Sequence, residues 1–221
     1  MRGKIVDDGA DVCAVPSESA LRDVMGRPGD GAVRKQLAQL DKHCRRFIEL
    51  SPFLCIGTAD KNGKADVSPR GDPAGFVQVL DDKTIIIPDR PGNNRLDTMS
   101  NIMENPNVSI LFMIPGFEDS LRVNGRATIV RDPDVLRKAA VNGREPKVAI
   151  RVTVDEAFLH CAKAFKRSRI WEADAKVDRS AMPSLGKMIL EQIAPPAKPP
   201  TPKEVAEGDE WIEESYKTEM Y

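Results

Sequence analysis

Hydrophobic positions in the first quarter of the chain recur at helical spacing. Residues 17–25 predict a short helix, which the side chain of Ser17 can cap. Residues 32–50 carry apolar side chains at every third or fourth position, which is the pattern of a longer amphipathic helix. Pro52 ends that helix, because a residue before proline is driven out of the helical conformation. The pattern therefore predicts a helical extension over residues 1–50.

After residue 50 the pattern changes to short apolar runs that are typical of strands. Asn62-Gly63, between the first two runs, is a strong hairpin signal. Gly125 interrupts a long run, and we interpret it as a bulge in one bent strand, because residues 121–123 are too short to form a strand alone. The predicted strands are residues 53–59, 64–68, 76–80, 84–87, 107–114, 121–130 and 148–160, with one helix at residues 94–105. This series predicts a mainly β fold, a small closed antiparallel barrel with flanking helices.

The end of the chain changes composition again. Five prolines between residues 195 and 202 predict a stiff linker. Residues 203–221 are rich in acidic side chains and predict a surface helix anchored by Trp211. We therefore expect three parts: a helical extension over residues 1–50, a barrel domain over residues 51–171 and a C-terminal extension over residues 172–221.

The net charge of the chain excludes some classes of binding partner. With 33 lysines and arginines against 34 aspartates and glutamates, the net charge of −1 excludes a protein held to nucleic acid by bulk positive charge. The longest apolar run, residues 110–114, is far shorter than the ~18 residues that span a membrane. The acidic N-terminus does not resemble a secretory signal. We therefore expect a cytoplasmic protein without nucleic-acid or membrane partners.

Residue types that bind metals are few and scattered. The four cysteines include no CxxC pair, and two histidines cannot build a His-rich zinc site, so we expect no metal. Cys55 and Cys161 lie in apolar runs, which favours buried free thiols over disulfide partners.

A first segment that concentrates anion-binding groups is SPRGDP, at residues 68–73. It follows a predicted strand and places Ser68, Arg70 and Gly71 close to two prolines. An arginine suits phosphate because its planar fork donates two parallel hydrogen bonds. A polar turn with a solvated arginine is the alternative.

A second such segment is PDRPGNNR, at residues 88–95, which joins a predicted strand to the predicted helix. Gly92 lets backbone approach a ligand closely, and the N–H groups and dipole at the start of a helix favour an anion. The combination predicts a phosphate-binding site, with an asparagine-capped turn as the alternative. Its candidate ligands are Arg90, Asn93, Asn94 and Arg95.

A third segment, residues 160–171, carries lysines and arginines and no acidic residue. This composition is typical of a solvated basic face. Phe165 and Trp171 leave a nucleic-acid patch as the less favoured alternative, because the chain offers no further aromatic platform.

Six short motifs between residues 45 and 171 form a specific pattern together, although each is weak alone. They are the hairpin signal NG (62–63), SPRGD (68–72), IPDRPGNNRLDT (87–98), ENPN (104–107), LRVNGRA (121–127) and HCAKA (160–164). In this order they resemble the FMN-binding split-barrel superfamily, the pyridoxamine 5′-phosphate oxidase-like proteins. The resemblance looks closest to a bacterial branch that shares SPRGD, IPDRPGNNRLDT and HCAKA.

The resemblance implies a homodimer with FMN bound in grooves between the subunits. Contacts with the phosphate would fall on Arg70 and Arg95, with Asn93 and Asn94 beside them. The apolar run at residues 110–114 lacks the alternation of a strand with one wet face, which favours burial on both sides. The remaining candidates are Ser68, Gly71 and Arg90 from the same segments, the backbone of Ile87 and Pro88 along the flavin ring, Ser120 or Arg122 from the partner, and Lys163 and Arg167 from the basic segment.

The chain departs from the oxidase proper in two places. No Arg-x-His sequence follows Trp171, and Gly75 stands where the family has a basic residue. The resemblance therefore implies FMN binding rather than oxidation of pyridoxamine phosphate.

From these features we expect a flavoprotein that moves hydride or electrons between FMN and an unidentified small substrate. No catalytic residue is assigned, and His160 is interpreted as a structural residue at the end of a strand. Three alternatives stay open: a flavin-binding or sensory module without turnover, a member that uses the deazaflavin F420, and a member that binds haem.

Overall fold

In the computed structural model, seven antiparallel strands form one sheet. In chain order they are β1 (Phe53–Ala59), β2 (Ala65–Gly71), β3 (Gln78–Val79), β4 (Thr84–Pro88), β5 (Asn107–Met113), β6 (Ser120–Val130) and β7 (Ala149–His160). Across the sheet they follow the order β2-β1-β5-β6-β7-β4-β3, and every pair of neighbours is antiparallel. The predicted mainly β, antiparallel fold with flanking helices is confirmed.

Helices lie before, between and after these strands in the order of the chain. They are α1 (Glu18–Met25), α2 (Asp30–Arg34), α3 (Lys42–Leu50), α4 (Asp97–Glu104), α5 (Pro133–Lys138), α6 (Lys163–Ser168), α7 (Leu185–Ile193) and α8 (Pro202–Thr218). The structure describes residues 14–195 and 197–221, so the predictions that involve Cys13, Pro196 and the acidic N-terminus lie outside the described residues. The chain divides into two units, residues 1–36 and 37–221.

The sheet is open, and the predicted closed barrel is wrong. The border strands β2 and β3 do not pair with each other in the described part of the chain. The strand predicted at residues 76–80 shrinks to the two residues of β3, too few to extend a ladder towards β2. The preceding loop contains Pro73, and Gly75 has a φ of 89°, so the chain there cannot continue a strand. The gap left beside β2 is where the candidate site lies.

The helix predicted over residues 32–50 is interrupted. Leu37 pairs with Ala157 of β7 through two backbone hydrogen bonds of 2.9 Å, which takes the chain out of the helical conformation. Helix α3 then begins after Asp41, whose carboxylate accepts hydrogen bonds from the backbone N–H groups of His43 and Cys44. The apolar spacing before α3 therefore reflects pairing and burial rather than a continuous helix.

The hydrophobic core lies between α3 and one face of the sheet. Alternate side chains of β1 and β5 are buried, and Phe47 and Ile48 of α3 pack into the same cluster. Burial of each such side chain stabilises the fold by about 1.5–3 kcal/mol. The largest buried side chains are Phe112, Leu40, Ile48, Leu54, Ile56, Ile85, Ile86, Ile87, Ile110, Leu121 and Ile150.

The predicted bulge in the long strand is confirmed. The pairing of β6 with β7 shifts register between Asn124 and Gly125. A Cβ atom at position 125 would collide with the carbonyl oxygen of Thr153, so only glycine fits against β7 here.

Strand β2 extends further than the sequence predicts. The predicted strand ends at Ser68, but Pro69, Arg70 and Gly71 continue it and pair with β1. Pro69 can sit within β2 because β2 is a border strand and needs only one row of hydrogen bonds. Arg70 is therefore held by the sheet and not by a mobile turn.

The C-terminal segment forms a helical hairpin. Helix α8 confirms the predicted acidic helix, and Thr201 and Glu204 build a capping box at its start. Helix α7 was not predicted, and the two helices approach closely where the Asp209 carboxylate accepts from the Gly186 N–H at 3.0 Å. Trp211 is 69% exposed, so its predicted role as an anchor is wrong. Gly186 and Gly208 allow the close approach, because a Cβ atom at either position would press against the other helix.

The prediction of buried thiols is wrong for Cys161. It lies just past the end of β7 and is exposed, whereas Cys55 is half-buried in β1. Among the described cysteines, Cys44 is the buried one, and burial raises the pKa of its thiol to about 11. Among the described residues, no helix combines the length and hydrophobicity needed to cross a bilayer, and no cluster of His, Cys, Asp and Glu could hold a metal.

Candidate functional site at the opening of the sheet

A cavity of about 460 Å³ opens where β2, the end of β4 and the start of α4 meet. Its volume lies within the ~300–1,000 Å³ typical of small-molecule sites. It joins the two anion-binding segments found in the sequence. The predicted residues that line it are Ser68, Arg70, Gly71, Pro88, Arg90, Asn93, Asn94 and Arg95.

Arg70 projects from β2 on the side of the sheet that carries the core. It lies opposite the buried Leu54 of β1, and residues directly opposite each other in a sheet share a face. Its Nη1 donates to the Asp89 carboxylate at 2.5 Å, while its buried Nε has no hydrogen-bond partner among the described residues. A buried donor without an acceptor costs about 1–3 kcal/mol. An oxyanion in the cavity would let the guanidinium regain that bond.

A buried carboxylate outside the cavity lining pairs with Arg90. Nε of Arg90 donates to Asp72 Oδ2 at 2.6 Å, and the Asp72 side chain is 1% exposed. The hydroxyl of Tyr221 donates to the other oxygen of Asp72 at 2.7 Å. Asp72 therefore fixes one edge of the Arg90 guanidinium while Arg90 borders the cavity.

Arg95 lies on an irregular turn before α4. Asn94 and Leu96 adopt left-handed backbone with φ of 55° and 60°, and the Asn93 side-chain oxygen accepts from the Arg95 N–H at 3.1 Å. The predicted helix start at residue 94 is therefore wrong, and α4 begins at Asp97. Arg95 is largely exposed and donates through Nε to the Asp97 carboxylate at 2.7 Å, which raises the pKa of Arg95.

The side chains that line the cavity have balanced charges, with three arginines and three aspartates, Asp66, Asp89 and Asp97. Arg70 pairs with Asp89 and Arg95 with Asp97, whereas Arg90 pairs with Asp72, which lies outside the lining. A guanidinium carries five N–H donors, and each described pair with an aspartate uses one arginine nitrogen. The arginines therefore keep donors for an anion without giving up their carboxylate partners, and the aspartates hold them in place.

Ile87 is fully buried in the core and does not line the cavity, so the structure does not bring this predicted residue to the site. Ser120 and Arg122 of β6 lie away from the cavity in the single chain. The Arg122 guanidinium stands 4.1 Å from the centre of the Phe158 ring, and its buried Nε has no hydrogen-bond partner in the described part of the chain. Their assignment to the partner's site stays a prediction.

Lys163 and Arg167 are exposed on α6 and do not line the cavity. The aromatic residues of this segment have structural contacts. Phe165 stacks on Trp171 at 6.0 Å between ring centres, and Trp171 Nε1 donates to the Phe117 carbonyl at 2.7 Å. The two aromatic side chains therefore make their contacts within the protein, and the basic side chains of this segment lie on the surface.

Several residues of the site were missed in the sequence. Asp89 lies inside the PDRP motif, and its position directly before Arg90 was the available signal. Thr98 and Met99 border the cavity because α4 starts later than predicted. Tyr221 lies 149 positions from Asp72, and no local pattern connects the two.

Comparison with solved structures finds proteins of similar fold. HupZ of Group A Streptococcus is 20% identical, with 54% of this chain and 93% of that chain covered and a TM-score of 0.45. General Stress Protein 26 of Bacillus anthracis is 19% identical, with 52% and 88% covered and a TM-score of 0.41. The FAD binding protein of Mycobacterium smegmatis is 20% identical, with 56% and 97% covered and a TM-score of 0.40.

A search of curated proteins finds no match. The family model described as pyridoxamine 5′-phosphate oxidase matches residues 40–161, which include every strand and both anion-binding segments. Since this match spans more than half of the 221 residues, the chain belongs to the pyridoxamine 5′-phosphate oxidase family.

Proposed function

We propose that the protein binds FMN in the cavity and acts as an oxidoreductase on a small substrate. The observation that carries the proposal is the convergence of Arg70, Arg90 and Arg95 on one cavity, with the buried Nε of Arg70 lacking an acceptor among the described residues. Membership of the family supports a flavin as the ligand.

The residues present fit a phosphorylated flavin. Arg70 and Arg95 offer charge-assisted hydrogen bonds to the phosphate, and Asn93 and Asn94 form the turn that leads into Arg95. Pro88, which lines the cavity, would border the ring. Bound FMN would supply hydride or electron transfer, and the chain would orient it and restrict water.

We also propose that a second copy of the chain completes the site. Arg122, Phe158 and Leu111 share the face of the sheet opposite the core, since they are paired directly across neighbouring strands. Leu111 and Met113 remain only half-buried in the single chain, so the predicted burial of this run on both sides requires a partner. The buried Nε of Arg122, which has no hydrogen-bond partner among the described residues, supports this face as the interface with the second copy.

Replacement of the arginines tests where the phosphate lies. Arg70→Ala or Arg95→Ala should weaken FMN by roughly tenfold to a hundredfold and riboflavin far less, because a charged hydrogen bond is worth about 1.5–3 kcal/mol. Fluorescence titration of both ligands measures this. Arg137→Ala on α5, an exposed arginine paired with Asp134, is the control and should change neither affinity. Equal losses for the two ligands would show that the arginines do not contact the phosphate.

The spectrum and mass of the molecule that copurifies with the protein test the cofactor itself. Flavin bands and the mass of FMN support the proposal, whereas F420 or haem in place of FMN would overturn it. Anaerobic mixing with NADH or NADPH then tests turnover. Rapid bleaching of the flavin supports an oxidoreductase, and no reduction by either donor favours a module that binds flavin without turnover.

A further inference from the structure

The segment after α8 returns to the border of the candidate site. Helix α8 ends at Thr218, and three residues later Tyr221 reaches the loop that follows β2. Its hydroxyl donates to Asp72 Oδ1 at 2.7 Å, and its main-chain oxygen accepts from the Arg144 guanidinium. Tyr221 is thus tied at both its side chain and its backbone.

Asp72 connects Tyr221 to the cavity. Its buried carboxylate uses one oxygen for the Tyr221 hydroxyl and the other for Nε of Arg90. A buried carboxylate needs hydrogen-bond donors at both oxygens. Loss of the Tyr221 hydroxyl leaves Oδ1 of Asp72 without its donor, and the carboxylate then fixes the Arg90 side chain less firmly. Tyr221 also places its ring 5.6 Å from the centre of the Arg90 guanidinium, within the range of a cation–π contact.

These contacts fix the conformation of the Arg90 side chain but do not use all of its hydrogen-bond donors. Among the described residues, its guanidinium donates only through Nε, so the two terminal amino groups keep their hydrogens for a ligand. A long side chain that is fixed before binding loses less entropy when the ligand arrives. Arg90 is therefore preorganised by groups that do not themselves line the cavity.

We propose that Tyr221 is a positioning residue that acts through Asp72 to aim Arg90 at an anionic group of the bound ligand. The inference rests on the proposed FMN function, with the phosphate as that anionic group. The ligand's phosphate affinity then depends on a hydroxyl that does not touch it.

The two tyrosines of the chain give a matched pair for the test. Tyr221→Phe keeps the ring and removes the hydroxyl, while Tyr216→Phe makes the same change on the exposed side of α8. In the full chain, Tyr221→Phe should weaken FMN by about threefold to tenfold and leave riboflavin nearly unchanged, as expected for one hydrogen bond acting indirectly. Tyr216→Phe should change neither ligand. Unchanged FMN affinity in Tyr221→Phe overturns the inference.

A second measurement needs no flavin. The hydrogen bond to Asp72 raises the pKa of Tyr221, so its ionisation, followed by tyrosinate absorbance, should occur at higher pH than that of a free tyrosine. Tyr221→Phe should remove this late step, and Asp72→Asn should move it to lower pH. Absence of the late step overturns the inference whether or not flavin binds. If the step is present but wild-type protein binds no FMN, the proposed function fails and the role toward a phosphate fails with it.

Discussion

A side chain at position 125 would collide with the neighbouring strand. The atom in its way is the main-chain oxygen of Thr153, which cannot rotate aside as a flexible side chain can. Gly125→Ala should therefore lower the free energy of unfolding by about 2–3 kcal/mol, measured by urea denaturation. Gly57→Ala in β1 is the matched control, because its nearest contact would be an ordinary 3.6 Å. Equal effects of the two substitutions would contradict the bulge.

The thiols should differ sharply in reactivity. Only thiolates react quickly, and Cys44 is buried with a pKa of about 11, whereas Cys161 is exposed. At a mildly alkaline pH, a maleimide should label Cys161 in the folded protein and reach Cys44 only after denaturation, as peptide mass spectrometry can show. Labelling of Cys44 in the folded protein at the rate of Cys161 would contradict its burial.

At the residue scale, the sequence predicts the chemistry of the site better than its geometry. Arg70 and Arg90 are identifiable because each lies beside a proline, and Arg95 because it follows Gly92-Asn93-Asn94 near a predicted helix start. The roles of Asp72 and Tyr221 could not be predicted, because their hydrogen bond joins residues far apart in the chain. Side-chain partners of this kind depend on tertiary structure alone.

Among the elements, α3 depends on its N-cap. The Asp41 carboxylate accepts two backbone N–H groups, so Asp41→Ala should lower the free energy of unfolding by about 1 kcal/mol at neutral pH. Asp41→Asn keeps an accepting oxygen and should lose less. Urea denaturation at neutral pH measures both. An alanine variant as stable as the wild type would show that the cap is unimportant.

The same cap should make stability depend on pH. The hydrogen bond from the Cys44 backbone is the main cause that lowers the pKa of Asp41 below 3.8 in the folded protein. The cap therefore stabilises the fold above about pH 4, and this contribution is lost as pH falls through the lowered pKa. Below about pH 4 the free energy of unfolding should fall less steeply in Asp41→Asn, which cannot titrate, than in the wild type. Parallel slopes would contradict this.

The elements show which signals are local. Strand β1, the bulge and the acidic helix α8 follow from short-range patterns, and the structure contains all three. The break in the helix before α3 comes from backbone pairing with a distant strand, β7, and the extra residues of β2 continue the pairing of the hairpin with β1. The spacing of apolar residues predicts which side chains are buried, but it does not predict which element packs against them.

For the whole molecule, FMN binding should be linked to assembly. If a second subunit completes the cavity, the dimer binds one FMN per chain, and dilution that separates the subunits also releases flavin. Analytical ultracentrifugation with detection of flavin absorbance tests this. Arg122→Ala, on the proposed interface, should weaken both dimerisation and FMN binding. A stable monomer with full FMN affinity would contradict the linkage.

An open sheet has borders that could recruit strands from other molecules. Pro69 lies within the border strand β2, and because proline has no N–H, an added strand cannot pair along the whole of that border. The opposite border, β3, offers only two residues. Both ends of the sheet are therefore poor templates for the edge-to-edge stacking that leads to insoluble fibres. The proline that shapes one wall of the cavity thus also protects the protein from aggregation at high concentration.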